Sequence, residues 1–413
     1  MTALSEIVGA ASTAGPESSV TGALDGAYAD DHLELTTSRG TVPLGFVAHR
    51  GVLYLVARDR RARWPVVALR EGSARVRVRG RTIVGGIALI TDPDEKRRVL
   101  DRFLAKYGGA QFARWYDRPA RILRLQPTTG GPAEAAPAPP EYVEWLTAEF
   151  DNIAEEYDHH ILDNRINRLL RNRSLAELRP TFRSAPVLLE IGCGSGTETL
   201  PMLRDGHEML CIDISRRMLD VVRQKARAAG VAERLRTRVL RASEVGALVR
   251  EMGPAQFDGG YSTYGALNCE ADLTPIPPAL HALLRPGSRF VAGVFNRWCL
   301  TEAVGYTLAG RPRRALGRTR NPVLVGSSRF CIDIWAHSAA EFEALFTPGF
   351  AAERLEAIPA LLPSSEVAVF VEKFGRRFDR LAEWDRAWGT RWPLRRLGDH
   401  FLLTFVRVED PGR

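Results

Sequence analysis

A glycine-rich turn that follows a buried strand constrains the fold of this chain more than any other feature. The sequence from Val187 to Gly196 reads VLLEIGCGSG, an apolar run followed by glycines with the spacing GxGxG. Glycines let a backbone pass close to a ligand, and such a turn between a strand and a helix is typical of nucleotide-binding α/β folds. A dinucleotide fingerprint, GxGxxG, would place its third glycine at Thr197, so this turn differs from it.

Acidic residues stand near the ends of the first two strands of this region. Glu190 comes just before the glycines, where a carboxylate would repel a pyrophosphate but would suit a ligand with an ammonium group. Asp213 ends the second strand and is placed to accept hydrogen bonds from both hydroxyls of a ribose. Together the two acids favour S-adenosylmethionine over NAD as the ligand.

Strands and helices alternate after residue 140, which predicts a parallel sheet covered on both faces, with its ligand at the carboxyl ends of the strands. A helix is predicted over Tyr142–Tyr157. The predicted strands are Val187–Ile191, Leu210–Ile214, Arg238–Ala242, Phe257–Ser262, Arg289–Phe295, Glu353–Ile358 and Phe401–Val408.

From about Phe150 to the C-terminus, these motifs resemble the class I S-adenosylmethionine-dependent methyltransferases, with a Rossmann-like sheet of seven strands and an antiparallel last strand. The FDNIAEEYD stretch from Phe150 resembles the helix that closes over the cofactor, and Leu284–Ser288 resembles the turn into the fifth strand. The family usually has an acid at the end of the third strand, facing the adenine amino group; here Ala242 and Ser243 stand there, followed by Glu244. The resemblance implies a cofactor site of Tyr157, Glu190, Gly192, Cys193, Gly194, Gly196, Asp213, Ile214, Met218, Ala242, Ser243 and Ser262.

Two insertions, residues 297–335 and 361–400, leave the cofactor side of the implied sheet, and we expect them to roof an acceptor pocket. Asn268, Arg297 and Trp298 are candidates to line this pocket. The second insertion has an apolar stripe at helical spacing, which packs on the sheet or contacts the acceptor; it consists of Phe370, Phe374, Phe378, Leu381, Trp384 and Trp388.

Methyl transfer from a sulfonium to a hydroxyl or carbon acid needs orientation and a base. The catalytic candidates are His160, His400 and Tyr264, because an imidazole can accept a proton near neutral pH and Tyr264 follows the fourth strand. Each histidine is equally consistent with a structural role. An arginine cluster at 311, 313, 314, 318 and 320 either grips an anionic acceptor or lies in a solvated loop.

Residues 31–125 form a separate, mostly β region, which the Pro- and Ala-rich linker 126–140 separates from the methyltransferase region 141–413. Strands are predicted over 32–37, 42–49, 52–57, 74–79 and 82–90, and one helix follows Asp92 with the stripe Val99, Leu100, Phe103 and Leu104. This region resembles the split β-barrel proteins of the pyridoxamine-phosphate oxidase and deazaflavin-dependent nitroreductase group. Their basic loop is shortened at Ser38–Thr41 and their Trp-x-x-Asn signature is broken after Trp64, so we expect neither flavin nor deazaflavin to bind. We expect the barrel to support a homodimer or the acceptor pocket.

Composition sets further limits on the partners of this chain. Residues 1–30 are small and polar and are predicted to be a flexible tail. Arginine supplies 53 of the 57 basic residues, and the arginines are interleaved with acids along the chain, so we expect no nucleic-acid partner. The five cysteines show no metal-ligand spacing, and apolar runs are short, so we expect no metal, no membrane partner and a cytoplasmic location.

The sequence therefore predicts a methyltransferase that acts on a small molecule, in specialised metabolism. Two alternatives stay open at this point. One is a bifunctional enzyme that combines a flavin or deazaflavin reductase with the methyltransferase, and the other is a non-catalytic regulatory or scaffold protein that binds S-adenosylmethionine.

Overall fold

A computed structural model shows how the 413-residue chain is organised. It describes residues 32–57, 62–78, 81–109, 112, 121–128, 140–162, 164–310, 312–319, 321–327, 330–347, 349–364, 375 and 377–409. The predicted tail over 1–30 and most of the predicted linker lie outside this part of the chain. Two compact units are present, Met1–Leu146 with Gly326–Cys331 and Thr147–Val325 with Ile332–Arg413.

The first unit is built on one antiparallel sheet of seven strands in the order β2-β1-β5-β6-β7-β4-β3. The strands are β1 (Leu33–Thr37), β2 (Gly40–Leu44), β3 (Phe46–His49), β4 (Val52–Val56), β5 (Ser73–Val78), β6 (Arg81–Leu89) and β7 (Ile122–Pro127). Burial alternates along β5, so its valines are buried and its arginines are exposed on the opposite face. Gln126 and Pro127 of the predicted linker belong to β7. A relation to split barrels stays a prediction.

Two helices accompany this sheet in the described part of the first unit, although the sequence predicted one. Helix α1 (Trp64–Glu71) was missed, because its short and almost uniformly apolar sequence has no clear helical period. Helix α2 (Pro93–Tyr107) begins as predicted, with the Asp92 side chain accepting from the Asp94 amide at 2.9 Å. Val99 and Phe103 are buried in a cluster with strand residues, whereas Leu104 of the predicted stripe is exposed.

The second unit contains the predicted seven-stranded sheet, in the order β10-β9-β8-β11-β12-β16-β15. All neighbouring strands pair in parallel except β16, which is antiparallel to β12 and β15. The strands are β8 (Val187–Ile191), β9 (Glu208–Asp213), β10 (Leu235–Val239), β11 (Phe257–Ser262), β12 (Leu284–Phe295), β15 (Phe350–Ile358) and β16 (His400–Arg407). The predicted Rossmann-like methyltransferase topology is confirmed.

Two apolar clusters are buried between this sheet and helices of the second unit. The helices that contribute to them are α5 (Arg165–Thr181), α6 (Thr199–Arg204), α7 (Arg216–Ala228), α8 (Gly246–Met252), α9 (Ile276–Leu283), α12 (Ala339–Phe346) and α13 (Phe378–Gly389). The unit also contains α4 (Tyr157–Leu162), α10 (Leu300–Leu308) and α11 (Pro312–Ala315). Helix α3 (Pro140–Ile153) precedes them, and a hairpin of β13 (Val323–Ser327) and β14 (Phe330–Ile334) lies within the first predicted insertion.

Several predicted elements differ from the structure. The strand expected over 42–49 is divided into β2 and β3, and β12 begins at Leu284, within the predicted turn into the fifth strand. The helix expected over 142–157 is divided into α3 and α4 by a turn at residues 154–156. The third strand ends at Val239, three residues before its predicted end. The prediction fails here because β10 is an edge strand whose Arg and Thr side chains conceal its apolar pattern. Ala242 therefore lies beyond the strand, in a 3-10 helix over Ala242–Glu244.

The register of the last strands places both predicted insertions at one edge of the sheet. Phe295 pairs with His400, and His400 pairs with Ile358, so β12, β15 and β16 meet at this edge. The apolar stripe is divided: Phe378 is buried and Leu381 half-buried, but Trp384 and Trp388 are exposed. Phe370 and Phe374 lie outside the described residues. In the described part of the chain, no helix has the length and apolar character to span a bilayer.

Candidate active site

The glycine turn lies at the carboxyl end of β8 and is fixed to the neighbouring strand. The amides of Gly192 and Cys193 donate to the Ile212 carbonyl at 2.8 and 3.2 Å. Gly192 has φ +72°, and a Cβ placed on it would lie 2.3 Å from the Cβ of Ala266. Gly194 also has positive φ, +52°. Only glycine fits at position 192, and the backbone of this turn can therefore approach a bound ligand closely.

Asp213 ends β9 beside this turn. Its carboxylate accepts from the amides of Gly194 and Ser215, at 2.8 and 2.9 Å. Burial raises the pKa of Asp213 to about 6, although these amides act in the opposite direction. A carboxylate oriented in this way fits a ribose diol. The buried Met218 follows on α7, and its amide donates to the Ser215 hydroxyl oxygen at 3.0 Å.

Glu190 is buried behind the turn, and its carboxylate accepts hydrogen bonds from protein groups. The Thr199 hydroxyl donates to its Oε2 atom at 2.6 Å, and the Cys211 thiol donates at 3.4 Å. Burial raises the pKa of Glu190 to about 8. Cys193 is buried as well, and its pKa is raised by a hydrogen bond with Cys211 and by burial. The proposed contact of Glu190 with an ammonium group stays a prediction.

Tyr157, at the start of α4, lies over the glycine turn. A Cβ on Gly194 would meet the Tyr157 ring at 3.7 Å. Burial raises the pKa of Tyr157 to about 12, with Arg171 opposing the shift and Asp213 adding to it. The next residue, Asp158, accepts hydrogen bonds from Ser195 and Lys225, which ties α4 to the turn and to α7. The segment after Phe150 thus contacts the glycine turn, and its closure over a cofactor stays a prediction.

An ion pair of Arg171 with Glu198 lies next to Tyr157 and was not predicted. Arg171 Nη1 and Glu198 Oε2 are 2.5 Å apart, and both residues are buried. The Arg171 guanidinium also lies over the Tyr264 ring, 4.0 Å from its centroid. The residues are 27 positions apart in sequence, so no local pattern signals the pair.

Tyr264 connects this region to His400. The two rings are stacked, with centroids 6.0 Å apart and planes 12° apart. Tyr264 has φ +53°, a strained conformation for a residue with a side chain, and Gly265 follows at +74°. Burial raises the pKa of Tyr264 well above its usual value, with Arg171 opposing the shift.

His400 and Asp399 lie side by side at this edge. His400 Nδ1 lies 3.2 Å from Asp399 Oδ2, and both residues are buried. The imidazole also meets the Phe295 ring edge-to-face at 5.3 Å. Of the catalytic candidates, Tyr264 and His400 are brought together. His160 lies in α4, and its side chain is outside the described residues.

Arg318, from the predicted arginine cluster, anchors Asp399 and is not solvated. It donates to both oxygens of Glu302, at 2.8 and 2.6 Å, and to the Asp399 carbonyl at 2.8 Å, and it is paired with the Asp399 carboxylate. Burial opposes ionisation of Asp399, but Arg318 and His400 hold its pKa well below the usual value. The expectation of a solvated loop is wrong for the buried Arg318, and Arg314 is exposed but lies in α11. Arg311, Arg320 and the Arg313 side chain lie outside the described residues.

Glu302 and Asp399 also lie near Cys299 in a set of metal-ligand type. The Arg318 guanidinium neutralises both carboxylates there, so the set is an ion-pair network in this structure.

The remaining predicted residues have different surroundings. Asn268 is fully buried, and its amide donates to the Phe295 and Trp335 carbonyls at 3.2 and 2.7 Å, so it braces the loop. Arg297 donates to the Ala336 carbonyl and pairs with Glu341, whereas Trp298 is 47% exposed. Ser262 is buried at the end of β11, and its hydroxyl has no hydrogen-bond partner among the described residues. Ile214 is half-buried between Asp213 and Ser215.

Comparisons with known proteins agree with this geometry. Residues 188–287 match the family model for a methyltransferase domain. The tRNA 5-carboxymethoxyuridine methyltransferase of Escherichia coli (strain K12) is 27% identical over 186 residues, which cover 42% of this chain and 68% of that protein.

Solved structures of low sequence identity are similar too. The 1,6-didemethyltoxoflavin-N1-methyltransferase of Burkholderia thailandensis is 19% identical with a TM-score of 0.40, covering 70% of this chain and 96% of that one. The geranyl diphosphate C-methyltransferase of Streptomyces coelicolor A3(2) is 14% identical with a TM-score of 0.42, covering 66% and 100%. The family match includes the glycine turn and Asp213. Together with the relative from E. coli, it supports the prediction of an S-adenosylmethionine-dependent methyltransferase, whereas the predicted domain bounds stay a prediction.

Proposed function

We propose that this chain, an S-adenosylmethionine-dependent methyltransferase, methylates a small-molecule acceptor and that His400 removes the acceptor's proton. The observation that carries this proposal is the position of Tyr264, which contacts Arg171 on the donor side and stacks on His400. Tyr264 thus links the proposed base to the donor side of the site, which gives the proximity that an in-line displacement needs.

The donor would lie in the cradle of Gly192, Gly194 and Gly196, with Asp213 on its ribose. Tyr157 would cover it, Ile214, Met218, Ala242 and Ser243 would flank the adenine, and Cys193 and Ser262 would complete the walls. When bound, the sulfonium supplies the methyl group, so its S–CH3 bond breaks as a bond from this carbon to the acceptor atom forms. The chain's own residues have only to orient the acceptor and take its proton.

His400 suits the proton transfer better than Tyr264 does. The phenol of Tyr264 has a pKa well above its usual value and stays protonated near neutral pH, so it can donate but not accept a proton. Asp399 is held as a carboxylate and can fix the tautomer of His400 through Nδ1, which leaves Nε2 as the proton acceptor. Asn268 and Arg297 then have a structural role in the wall of the acceptor pocket.

Exposed apolar side chains in the two insertions favour an acceptor with an apolar body. Of the ten large apolar side chains that are exposed among the described residues, eight belong to the two insertions. They are Trp298, Val304, Leu308, Leu316, Leu361, Trp384, Trp388 and Trp392. Such a concentration is typical of a binding region. A role in specialised metabolism, with the first unit as a cofactor-free accessory barrel or dimer contact, belongs to this proposal.

An RNA acceptor is the second candidate. Trp384 and Trp392 are 71% and 75% exposed, and the Arg391 guanidinium lies over Trp388 at 4.8 Å. Indoles next to arginines are the groups on which nucleic-acid bases stack. The relative from E. coli carries the name of a tRNA methyltransferase, so the predicted exclusion of nucleic acid is not carried forward.

One labelling experiment separates these acceptors. The protein is incubated with methyl-labelled S-adenosylmethionine and a cell extract, and the product is divided into small-molecule and polymer fractions. Our proposal predicts label in the small-molecule fraction with the wild type and loss of it with His400→Gln. Label in an RNase-sensitive polymer would support the second candidate, and donor binding without any label in either fraction would support the non-catalytic alternative.

A further inference from the structure

The end of the third strand lacks the acid that the family resemblance leads one to expect there. Ala242 and Ser243 occupy the position, and Glu244 follows in the 3-10 helix after β10. Glu244 is exposed, and its carboxylate accepts from the backbone amide of Arg241 at 3.3 Å. It therefore caps its own turn.

A carboxylate from a different element lies at this position. Glu270 follows the 3-10 helix Ala266–Cys269, in the loop after β11, and is only 6% exposed. Its Oε1 lies 3.4 Å from the Ser243 amide, and its Oε2 accepts from Arg241 Nη2 at 2.6 Å. The loop after the fourth strand thus brings an acid to the end of the third.

The turn before Glu270 contacts the glycine turn. Ala266, at the start of the 3-10 helix that ends at Cys269, packs against Gly192. Burial raises the pKa of the Cys269 thiol to about 12, and Glu270 and Asp213 both add to the shift. The loop that carries Glu270 therefore adjoins the cradle in which the donor would lie.

We propose that Glu270 accepts a hydrogen bond from the exocyclic amino group of the donor's adenine and so distinguishes adenosyl from 6-oxopurine ligands. The inference rests on the donor site proposed above. An amino group presents a proton to the carboxylate, whereas a 6-oxo group presents a second acceptor and is repelled. Arg241 holds Glu270 from the far side through Oε2, and the long 3.4 Å contact leaves Oε1 the less engaged oxygen.

The test compares two product analogues that differ only at this position of the purine. S-adenosylhomocysteine and S-inosylhomocysteine are titrated calorimetrically into the full chain, as wild type, Glu270→Gln and the matched control Glu244→Gln. We expect the wild type to prefer the adenosyl ligand by about 10- to 100-fold, the range of one charge-assisted hydrogen bond. Glu270→Gln should reduce this preference to about threefold or less, because a carboxamide can bond to either purine. Glu244→Gln should keep the wild-type ratio.

Several outcomes would overturn the inference. They are equal binding of both analogues by the wild type, an unchanged ratio in Glu270→Gln, or loss of the ratio in Glu244→Gln. If Glu270→Gln does not fold, as judged by circular dichroism, Glu270→Asp serves instead; it keeps the charge, and a shorter reach should lower the ratio while a purely structural role would weaken both ligands equally. Failure of the wild type to bind either analogue would contradict the donor site itself, so the two failures are distinguishable.

Discussion

The Nδ1 atom of His400 lies 3.2 Å from Oδ2 of Asp399 at the edge of the sheet where three strands meet. This pair fixes the orientation of the imidazole, because the Asp399 carboxylate is itself held by Arg318. We therefore expect His400→Gln to lower the rate of methyl transfer by about 10²- to 10⁴-fold, the range of general base catalysis. The affinity for S-adenosylhomocysteine, measured by calorimetry, should stay unchanged. A variant that retains full activity would remove His400 from the proposed mechanism.

Arg318 should contribute strongly to stability through the carboxylates that it neutralises. Arg318→Met leaves Glu302 and Asp399 buried without their cation, so we expect the free energy of unfolding in urea to fall by about 3–5 kcal/mol. Arg289→Met is the matched control, because its ion pair with Glu353 is half-exposed on both sides and should cost about 0–1 kcal/mol. Equal losses in the two variants would contradict the assigned role of Arg318.

Donor affinity should depend on pH through Asp213. Burial raises its pKa from 3.8 to about 6, and only the ionised carboxylate accepts hydrogen bonds from both ribose hydroxyls. The affinity for S-adenosylhomocysteine, measured over about pH 5 to 8, should therefore fall as the pH drops through about 6. Asp213→Asn should bind more weakly and without this step, whereas the exposed Asp220→Asn should keep it.

The same shift has the opposite sign for folding without ligand. Because the folded state favours protonated Asp213, its contribution to stability is present below pH 3.8 and is lost as the pH rises through about 6. Thermal unfolding of the wild type and Asp213→Asn across this window measures the difference, and parallel profiles would contradict the assigned shift.

Gly192 should be intolerant of any side chain. Gly192→Ala places a Cβ 2.3 Å from the Ala266 Cβ, so the turn must move and donor affinity should fall. Gly230→Ala is the matched control, since its φ of +69° is almost the same but no atom lies within 4 Å of the added Cβ. That control should cost only the left-handed strain of about 1–2 kcal/mol. If both variants bind S-adenosylhomocysteine like the wild type, the turn is not the donor cradle.

The sequence could predict the site residues that lie next to the ends of strands. Glu190, the glycines and Asp213 follow apolar runs directly, so their place at the carboxyl edge comes from strand order alone. Pairs that join distant segments have no such signal. Arg318 and Asp399 are separated by 81 positions and Glu270 and Ser243 by 27, and neither spacing repeats a helical or strand period. The sequence could not predict which of the aromatic side chains are exposed either, because Trp384 and Trp388 have the same helical spacing as the buried Phe378.

The donor site at the glycine turn and Asp213 is tested most directly by one calorimetric titration. S-adenosylhomocysteine is titrated into the wild type and into Asp213→Ala at neutral pH, with the folded state of both checked by circular dichroism. We predict one ligand bound per chain and an affinity at least about tenfold lower in the variant, because the ribose loses a charged hydrogen-bond acceptor. No binding by the wild type, or equal affinity of the two proteins, would contradict the account.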